Sequence, residues 1–430
     1  MINIKSFFIT SLVTGSGKTT FTLGLLYLLK NNVISFKTGP DFLDPILHEK
    51  TVGKKSYNLD SFFLNEKELR DHFYNICEKN KSDNVVIEGA MGLLDGVRKG
   101  EASCDDIASK LKMPVILLVE SYPTIHTIGS IIKGIQNSAK SQIKAVIITK
   151  SKSQKMFNLQ KEDIINETGI NNVYRFPYDE NMKIEGRHLG LNIHENKILE
   201  VSKNAAELIK NFVDVEEIGF EIEREKLSFS KKDSFKNRKK IAISKDEAFS
   251  FLYEDNLDYF EEKLIDVIYF SPIHDKIIPE ADFYYFTGGY PELFLKELSQ
   301  NQKMLKSVKE LCFSSKPVIA ECGGFMYLSN SINDYNMVGF FNCESFMKKK
   351  MYNIFGYQNI YSNFSDFYIK GHEFHYSDMI YNEEKNAFNI IMESSRKKLL
   401  EGILKHKTLG SYSHLYLKSN QKEELLWEYL

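Results

Sequence analysis

Apolar positions along the chain gather into short continuous runs, each closed by a turn rich in glycine or acid and followed by a stretch at helical spacing. Ile4 to Thr10 is the first run and Phe21 to Leu29 the first helical stretch. Val85 to Glu88, Met113 to Val119 and Ile143 to Thr149 repeat the design, with helical segments between them. Runs without alternation predict strands buried on both faces, the habit of a parallel sheet covered by helices. The first half therefore reads as a doubly wound α/β domain. Periodicity weakens in the charged stretch after Asp214, and Lys240-Ile-Ala-Ile-Ser244 opens a second strand series. The expected organisation is one domain over residues 1–213, a linker over 214–238 and a second doubly wound domain over 239–430.

Composition narrows the function classes. Of 430 residues 43% are apolar and 27% charged, and the net charge is −2. This balance leaves no basic footprint for nucleic acid and points to small-molecule chemistry. No run of about twenty apolar residues occurs, so no membrane span is expected. The opening Met1-Ile-Asn-Ile-Lys5 leads into a strand and a glycine loop instead of a cleavage site, and a cytoplasmic location is expected. Cysteines at positions 77, 104, 312, 322 and 343 lack paired spacing, which fits reduced thiols and neither a disulfide framework nor a zinc site.

Between the first strand and the first helix stands Ser11-Leu-Val-Thr-Gly15-Ser16-Gly17-Lys18-Thr19-Thr20, a phosphate loop in its required setting. Gly15 and Gly17 let consecutive N–H groups turn inward, and the helix N-terminus adds positive potential. Lys18 reaches the outer phosphates of a nucleotide, and the Thr19 hydroxyl is placed to ligate magnesium. Leu12 occupies the place of the first glycine of the common pattern, so the loop is of a variant type. Two nearby strand ends carry acids, Asp41 and Asp44 after Ser35-Phe-Lys37, and Glu88 and Asp95 around Gly-Ala-Met-Gly. Carboxylates there hold a magnesium ion or orient a substrate, while an exposed acid in a turn is the ordinary alternative for each one singly.

In the second half, Pro317-Val-Ile-Ala-Glu-Cys322-Gly-Gly-Phe-Met-Tyr-Leu328 sets one cysteine between an apolar strand and a helix-like run. A sharp turn at that joint would present Cys322 as a nucleophile, with small residues after it leaving N–H groups open to an oxyanion. A buried cysteine in a sheet-to-helix joint is the competing reading. Thr287-Gly-Gly-Tyr-Pro-Glu292 offers a glycine turn, and Gly410-Ser-Tyr-Ser-His414 a histidine on another apolar run. Thiol, donors and imidazole together suit acyl transfer. His372-Glu373-Phe-His375 could be mistaken for a ligand set. Strand alternation puts His372 and Phe374 on one face and Glu373 and His375 on the other, which disfavours a compact metal site.

Ten strings in register resemble the cobyrinic acid a,c-diamide synthase family over nearly the whole chain. They are Ser16-Gly-Lys-Thr-Thr20, Lys37-Thr-Gly-Pro-Asp-Phe-Leu-Asp-Pro45, Glu88-Gly-Ala-Met-Gly-Leu-Leu-Asp-Gly96, Gly186-Arg-His-Leu-Gly190 and Asp246-Glu-Ala-Phe-Ser-Phe251 in the first part. Phe270-Ser-Pro-Ile-His-Asp275, Gly288-Gly-Tyr-Pro-Glu-Leu-Phe294, Ala320-Glu-Cys-Gly-Gly324, Gly371-His-Glu-Phe-His-Tyr376 and Ser411-Tyr-Ser-His414 complete the set. The resemblance implies a dethiobiotin-synthetase-like P-loop domain followed by a class I glutamine amidotransferase domain. It implies that Cys322 attacks the glutamine amide, that His414 moves the proton, and that N–H groups near Gly289 and Gly323 hold the oxyanion. ATP and Mg2+ are the implied cofactors, with Asp41 and Glu88 joining Thr19 at the metal and Asp44 and Asp95 facing a macrocycle.

The implied reaction is amidation of the a- and c-acetates of cobyrinate through acyl phosphates. Cobyrinate and L-glutamine are the implied partners, with a homodimer as the assembly considered and neither nucleic acid nor membrane. Nickel sirohydrochlorin and hydrogenobyrinate are alternative tetrapyrroles, and a nucleotide-switched partitioning protein is the reading from another class. Three positions depart from the family pattern. Ser11 stands where relatives carry glycine, and Thr149-Lys150 stands where Asn-Arg would serve an adenine pocket. Tyr416 replaces the glutamate of many amidotransferase triads, which leaves a Cys–His dyad.

Overall fold

In the computed structural model, residues 3–98, 100–182, 195–223, 238–348, 356–419 and 424–430 are described. The Gly186–Gly190 string lies outside them. The chain divides into two compact units, residues 1–230 and 231–430.

The apolar runs of the first unit form β1 (Asn3–Ser11), β2 (Val33–Thr38), β3 (Ser56–Leu59), β4 (Asn84–Glu88), β5 (Val115–Glu120), β6 (Ile143–Ser151) and β7 (Val173–Pro177). They lie parallel in the order β3-β2-β4-β1-β5-β6-β7. Helices α1 (Lys18–Leu29), α2 (Leu43–Val52), α3 (Glu66–Asn80), α4 (Cys104–Leu111), α5 (His126–Ser138), α6 (Gln154–Thr168) and α7 (Glu195–Phe212) accompany the strands. Val85, Val86, Ile87, Leu117 and Leu118 are fully buried, as unalternated runs require. Strand order reverses around β1, so the crevice beyond its carboxyl end is where a ligand belongs.

Part of the expected linker belongs instead to this unit. Val215–Ile218 is a short helix capped by Asp214, and β8 (Phe220–Glu223) pairs antiparallel with Asn3–Ser6 of β1. Charge on its exposed residues hid this strand, since only Ile222 is buried.

Helix α1 closes tightly on α7 at Gly24, where an added Cβ would lie 2.7 Å from the Ala205 Cβ. Gly24→Val is expected to cost about 1–3 kcal/mol through overpacking. Chemical denaturation checks this, and an unchanged midpoint would rule out the close approach.

In the second unit β9 (Lys240–Ser244), β10 (Phe249–Phe251), β11 (Asp266–Phe270), β12 (Phe283–Phe286), β13 (Gly288–Gly289) and β14 (Val318–Glu321) come first. Strands β11, β9, β12 and β14 run parallel, followed by Thr408–Ser411 and then, antiparallel, Ile403–Lys405. Met304, Leu305 and Val308 of the helix Gln302–Cys312 pack in one core with Ala242 and Phe286. Ile241, Ile243, Tyr285 and Ile319 pack in another core with Ile360, Ile369, Phe388 and Leu415. These last four belong to a five-stranded antiparallel sheet ordered 398–401, 388–392, 356–362, 368–373 and 414–416. One face of the parallel sheet is thus covered largely by a second sheet, a layer that the apolar runs did not announce.

Candidate active sites

The first unit gathers its chemistry at the carboxyl ends of β1, β2 and β4. Cross-strand register sets Lys37 and Glu88 directly opposite each other, with Ile9 of β1 opposite Glu88 on its other side. The phosphate loop follows β1, and Gly15 and Gly17 adopt φ of 86° and 88°, a left-handed conformation that glycine enters without strain. Ser16 donates to the Val13 carbonyl (2.8 Å), and Thr149 donates to the Ser16 carbonyl (2.8 Å). Thr149 therefore braces the loop from beneath. Ser11, the departure from glycine, accepts a hydrogen bond from Lys18 Nζ at 2.8 Å. The Met91 carbonyl accepts from the same ammonium at 2.6 Å. Burial and then the nearby Lys37 lower the Lys18 pKa, while Glu88 and Asp44 oppose that shift.

Thr19 Oγ1 donates to Glu88 Oε1 at 2.8 Å and lies 3.5 Å from Asp44 Oδ1. Lys37 Nζ pairs with Asp44 and lies 3.1 Å from Glu88 Oε1. His48 Nε2 stands 2.8 Å from the other Glu88 oxygen, and its Nδ1 is 3.1 Å from Ser56 Oγ. Burial works to raise the fully buried Glu88 carboxyl, but Lys37 and the His48 hydrogen bond hold it below the usual carboxylate range. Burial followed by Glu88 pushes Asp44 upward, against the pull of Lys37.

Asp41 and Asp44 make different contacts. Asp41, placed at the metal by resemblance, accepts from the Leu43 and Asp44 N–H groups (2.8 and 3.1 Å) at the start of α2. Asp44, assigned to the substrate, is the acid that reaches Thr19. Both acids stand one turn apart around the helix start, so spacing alone could not separate them. Asp95 is exposed and closes a turn by accepting from Gly92 N–H at 3.1 Å. Thr20 is half-buried in the first turn of α1. Sequence alone assigns no role to Lys37 or His48. A basic residue at a strand end directly opposite Glu88 was the available signal for Lys37; His48 sits inside α2 and had none. Among the described residues no group of three or more His, Cys, Asp or Glu side chains is arranged to hold a metal ion. The oxygen donors on Thr19, Glu88 and Asp44 nevertheless match a hard cation that completes its shell with phosphates and water.

In the second unit Cys322 is an elbow. Its φ of 44° and ψ of −103° stand between β14 and the helix Gly323–Leu328. The turn is held because Cys322 N–H donates to the Ser411 carbonyl (2.7 Å) and Met326 N–H to the Cys322 carbonyl (2.9 Å). Gly323 nests against the glycine turn: a Cβ there would lie 3.0 Å from Gly289 N and 2.9 Å from Pro291 Cδ. Gly289 is itself pressed on the Ala248 carbonyl, and β13 pairs with β10. The structure thus brings Gly289 and Gly323 together beside the elbow. Burial pushes the Cys322 thiol well up, and Glu292 and Glu373 add to it, while the Gly323 N–H works the other way. Burial thus disfavours the bare thiolate. Burial also pushes Glu292 up to about 7.

His414 lies on the strand His414–Tyr416 of the antiparallel sheet, three residues after the Ser411 that pairs with Glu321. A Cβ on Gly288 would collide with its ring, so the glycine turn reaches the imidazole as well as the elbow. His372 stacks on His414 with centroids 4.9 Å apart at 17°, and its Nδ1 is 3.0 Å from Tyr253 Oη. Glu321 Oε2 lies 3.7 Å from His414 Nδ1. Tyr416 packs edge-on against Tyr253 at 5.5 Å. Glu373 Oε1 and His375 Nε2 are 2.8 Å apart, on the other side of the strand from His372.

Residues 7–191 match the family model for a CobQ/CobB/MinD/ParA nucleotide binding domain, and residues 240–422 match that for a CobB/CobQ-like glutamine amidotransferase domain. Full-length relatives agree with both. The chain is 35% identical over 94% of its length to a protein of Methanobrevibacter smithii named cobyrinate a,c-diamide synthase, of which it covers 94%. It is 36% identical over 96% of its length to the protein of the same name from Caldanaerobacter subterraneus subsp. tengcongensis, covering 95% of that one. The Methanocaldococcus jannaschii protein of that name is 34% identical over 94% of each chain. The chain belongs to the cobyrinate a,c-diamide synthase family. It is therefore a glutamine-dependent ligase built from a nucleotide-binding domain and an amidotransferase domain. Among the described residues no helix is long and apolar enough to cross a membrane.

Proposed function

We propose that this ligase amidates the a- and c-acetate carboxylates of cobyrinate, with ATP as the activating nucleotide and glutamine as the nitrogen source. The observation that carries the reading is the Cys322 elbow: a thiol at φ 44° against two glycines, in a chain that also carries a phosphate loop. A buried structural cysteine has no need of that backbone strain.

At the second unit the Cys322 sulfur attacks the glutamine amide carbon, and its proton passes to His414. The N–H groups of Gly289 and Gly323 receive the oxyanion, and His414 returns the proton to the departing nitrogen as ammonia. Water then frees glutamate from the thioester. Burial disfavours a bare thiolate, so the sulfur's ionisation is coupled to proton transfer to His414. At the first unit a substrate carboxylate attacks the terminal phosphoryl group of ATP, giving an acyl phosphate and ADP. Activation is needed because a carboxylate is a poor electrophile whose oxygen leaves badly. Ammonia then displaces phosphate to form the amide.

Lys18 and the N–H groups of Gly15 to Thr20 hold the phosphates, and Thr19, Glu88 and Asp44 are the residues that would hold Mg2+. When bound, that ion offsets charge on the phosphoryl oxygens. Lys37 keeps Glu88 ionised, and Asp95 is left to the macrocycle side of the loop.

Purified protein given glutamine, ATP and each of cobyrinate, hydrogenobyrinate and nickel sirohydrochlorin is expected to convert cobyrinate best. Each amide formed should match one ADP and one glutamate. Faster turnover of either other macrocycle would reassign the substrate. No glutamate release with any of them would favour a nucleotide switch.

A further inference from the structure

We infer that Glu321 is a positioning residue for His414, supplying from the strand before the nucleophile the carboxylate that Tyr416 does not provide. The inference rests on the reading of Cys322 and His414 as the glutamine-hydrolysing pair.

Glu321 ends β14 and immediately precedes Cys322, so one turn of backbone fixes both. Both side chains of the Glu321–His414 pair are almost wholly buried, at 3% and 2% exposure. The carboxylate is aimed by its own bonds. Oε1 accepts from the N–H of Leu415, the residue after His414, at 3.1 Å, and Tyr285 donates to the same group. With one oxygen pinned to the histidine's own strand, the other is left 3.7 Å from Nδ1. That separation is within ion-pair range and longer than a hydrogen bond.

Glu292 and Glu373 also lie near enough to act on the neighbouring Cys322 thiol. His372 from the strand Tyr368–Glu373 covers one face, and burial followed by His414 holds its pKa well below the usual histidine range. Phe251 of β10 lies 6.2 Å away centroid to centroid, and Gly288 of β13 closes the edge near Cε1. A carboxylate beside Nδ1 favours the tautomer with hydrogen there, leaving Nε2 as the basic nitrogen of the ring. It also stabilises the imidazolium formed when the Cys322 proton arrives.

Glu321→Gln tests this, because the amide oxygen can keep the Leu415 bond while the charge is lost. The kcat for glutamine hydrolysis is expected to fall at least about tenfold with little change in KM, as when other orienting carboxylates are neutralised. A purely structural glutamate would lower the thermal midpoint and leave kcat of the folded variant near the wild-type value. Should the glutamine variant fail to fold, Glu321→Asp keeps the charge but draws it back, and kcat is expected to fall with KM little changed. Wild-type kcat in a folded variant of either kind overturns the inference. Glutamine hydrolysis persisting in Cys322→Ala would instead overturn the site on which it rests.

Discussion

Cys322→Ala is expected to lower glutamine-dependent amidation by on the order of 10^3-fold or more, while amidation with added ammonium persists. The magnitude follows from the nature of the step. Without the sulfur there is no thioester, and neither His414 nor the Gly289 and Gly323 donors supply another nucleophile. The selectivity follows from the fold: the elbow and its glycine turn belong to residues 231–430, while the phosphate loop lies in the other unit. Parallel assays with glutamine and with ammonium chloride check both halves. Retained use of glutamine would remove Cys322 from the nucleophile role. Loss of both activities would show that the substitution damages more than the thiol.

Lys18→Ala should fail in both assays, by on the order of 10^2-fold or more, the cost of removing one preorganised donor from a charged transition state. Here the ammonium is already held in place, by Ser11 Oγ and the Met91 carbonyl, and little reorganisation is needed to bring it to a phosphate. Glutamine hydrolysis without ATP should change far less, since Cys322 does not depend on this residue. Ammonium-dependent amidation within a few-fold of the wild type would separate Lys18 from phosphoryl transfer.

The sequence made the parts that depend on local rules readable. Unalternated apolar runs gave β1, β4, β5 and β6, because burial on both faces leaves a direct trace in composition. The phosphate loop and the Cys322 elbow were readable because glycines at 15, 17, 323 and 324 serve backbone needs that few other residues meet. What stayed hidden depends on long-range pairing. Strand β8 is mostly exposed, and the antiparallel layer alternates weakly, so neither stands out from loop. Asp41 and Asp44 differ in which one accepts from the N–H groups at the start of α2 and which meets Lys37, a matter of angle around a helix start. Glu321 stays hidden in the sequence because the glutamate of many amidotransferase triads lies two residues past the histidine, whereas this carboxylate comes from 93 positions earlier in the chain.

His414 and Cys322 ride on different sheets, joined by the bend at Tyr412 and Ser413. That bend is tied down through Ser413 to Gln358, Gln358 to Glu373, and the Tyr412 N–H to Glu401. The antiparallel layer is consequently no ornament that a shorter enzyme could shed. Trimming it away would strand the sulfur without its base, and any graft of this hydrolase onto another scaffold must carry both layers and the hinge between them.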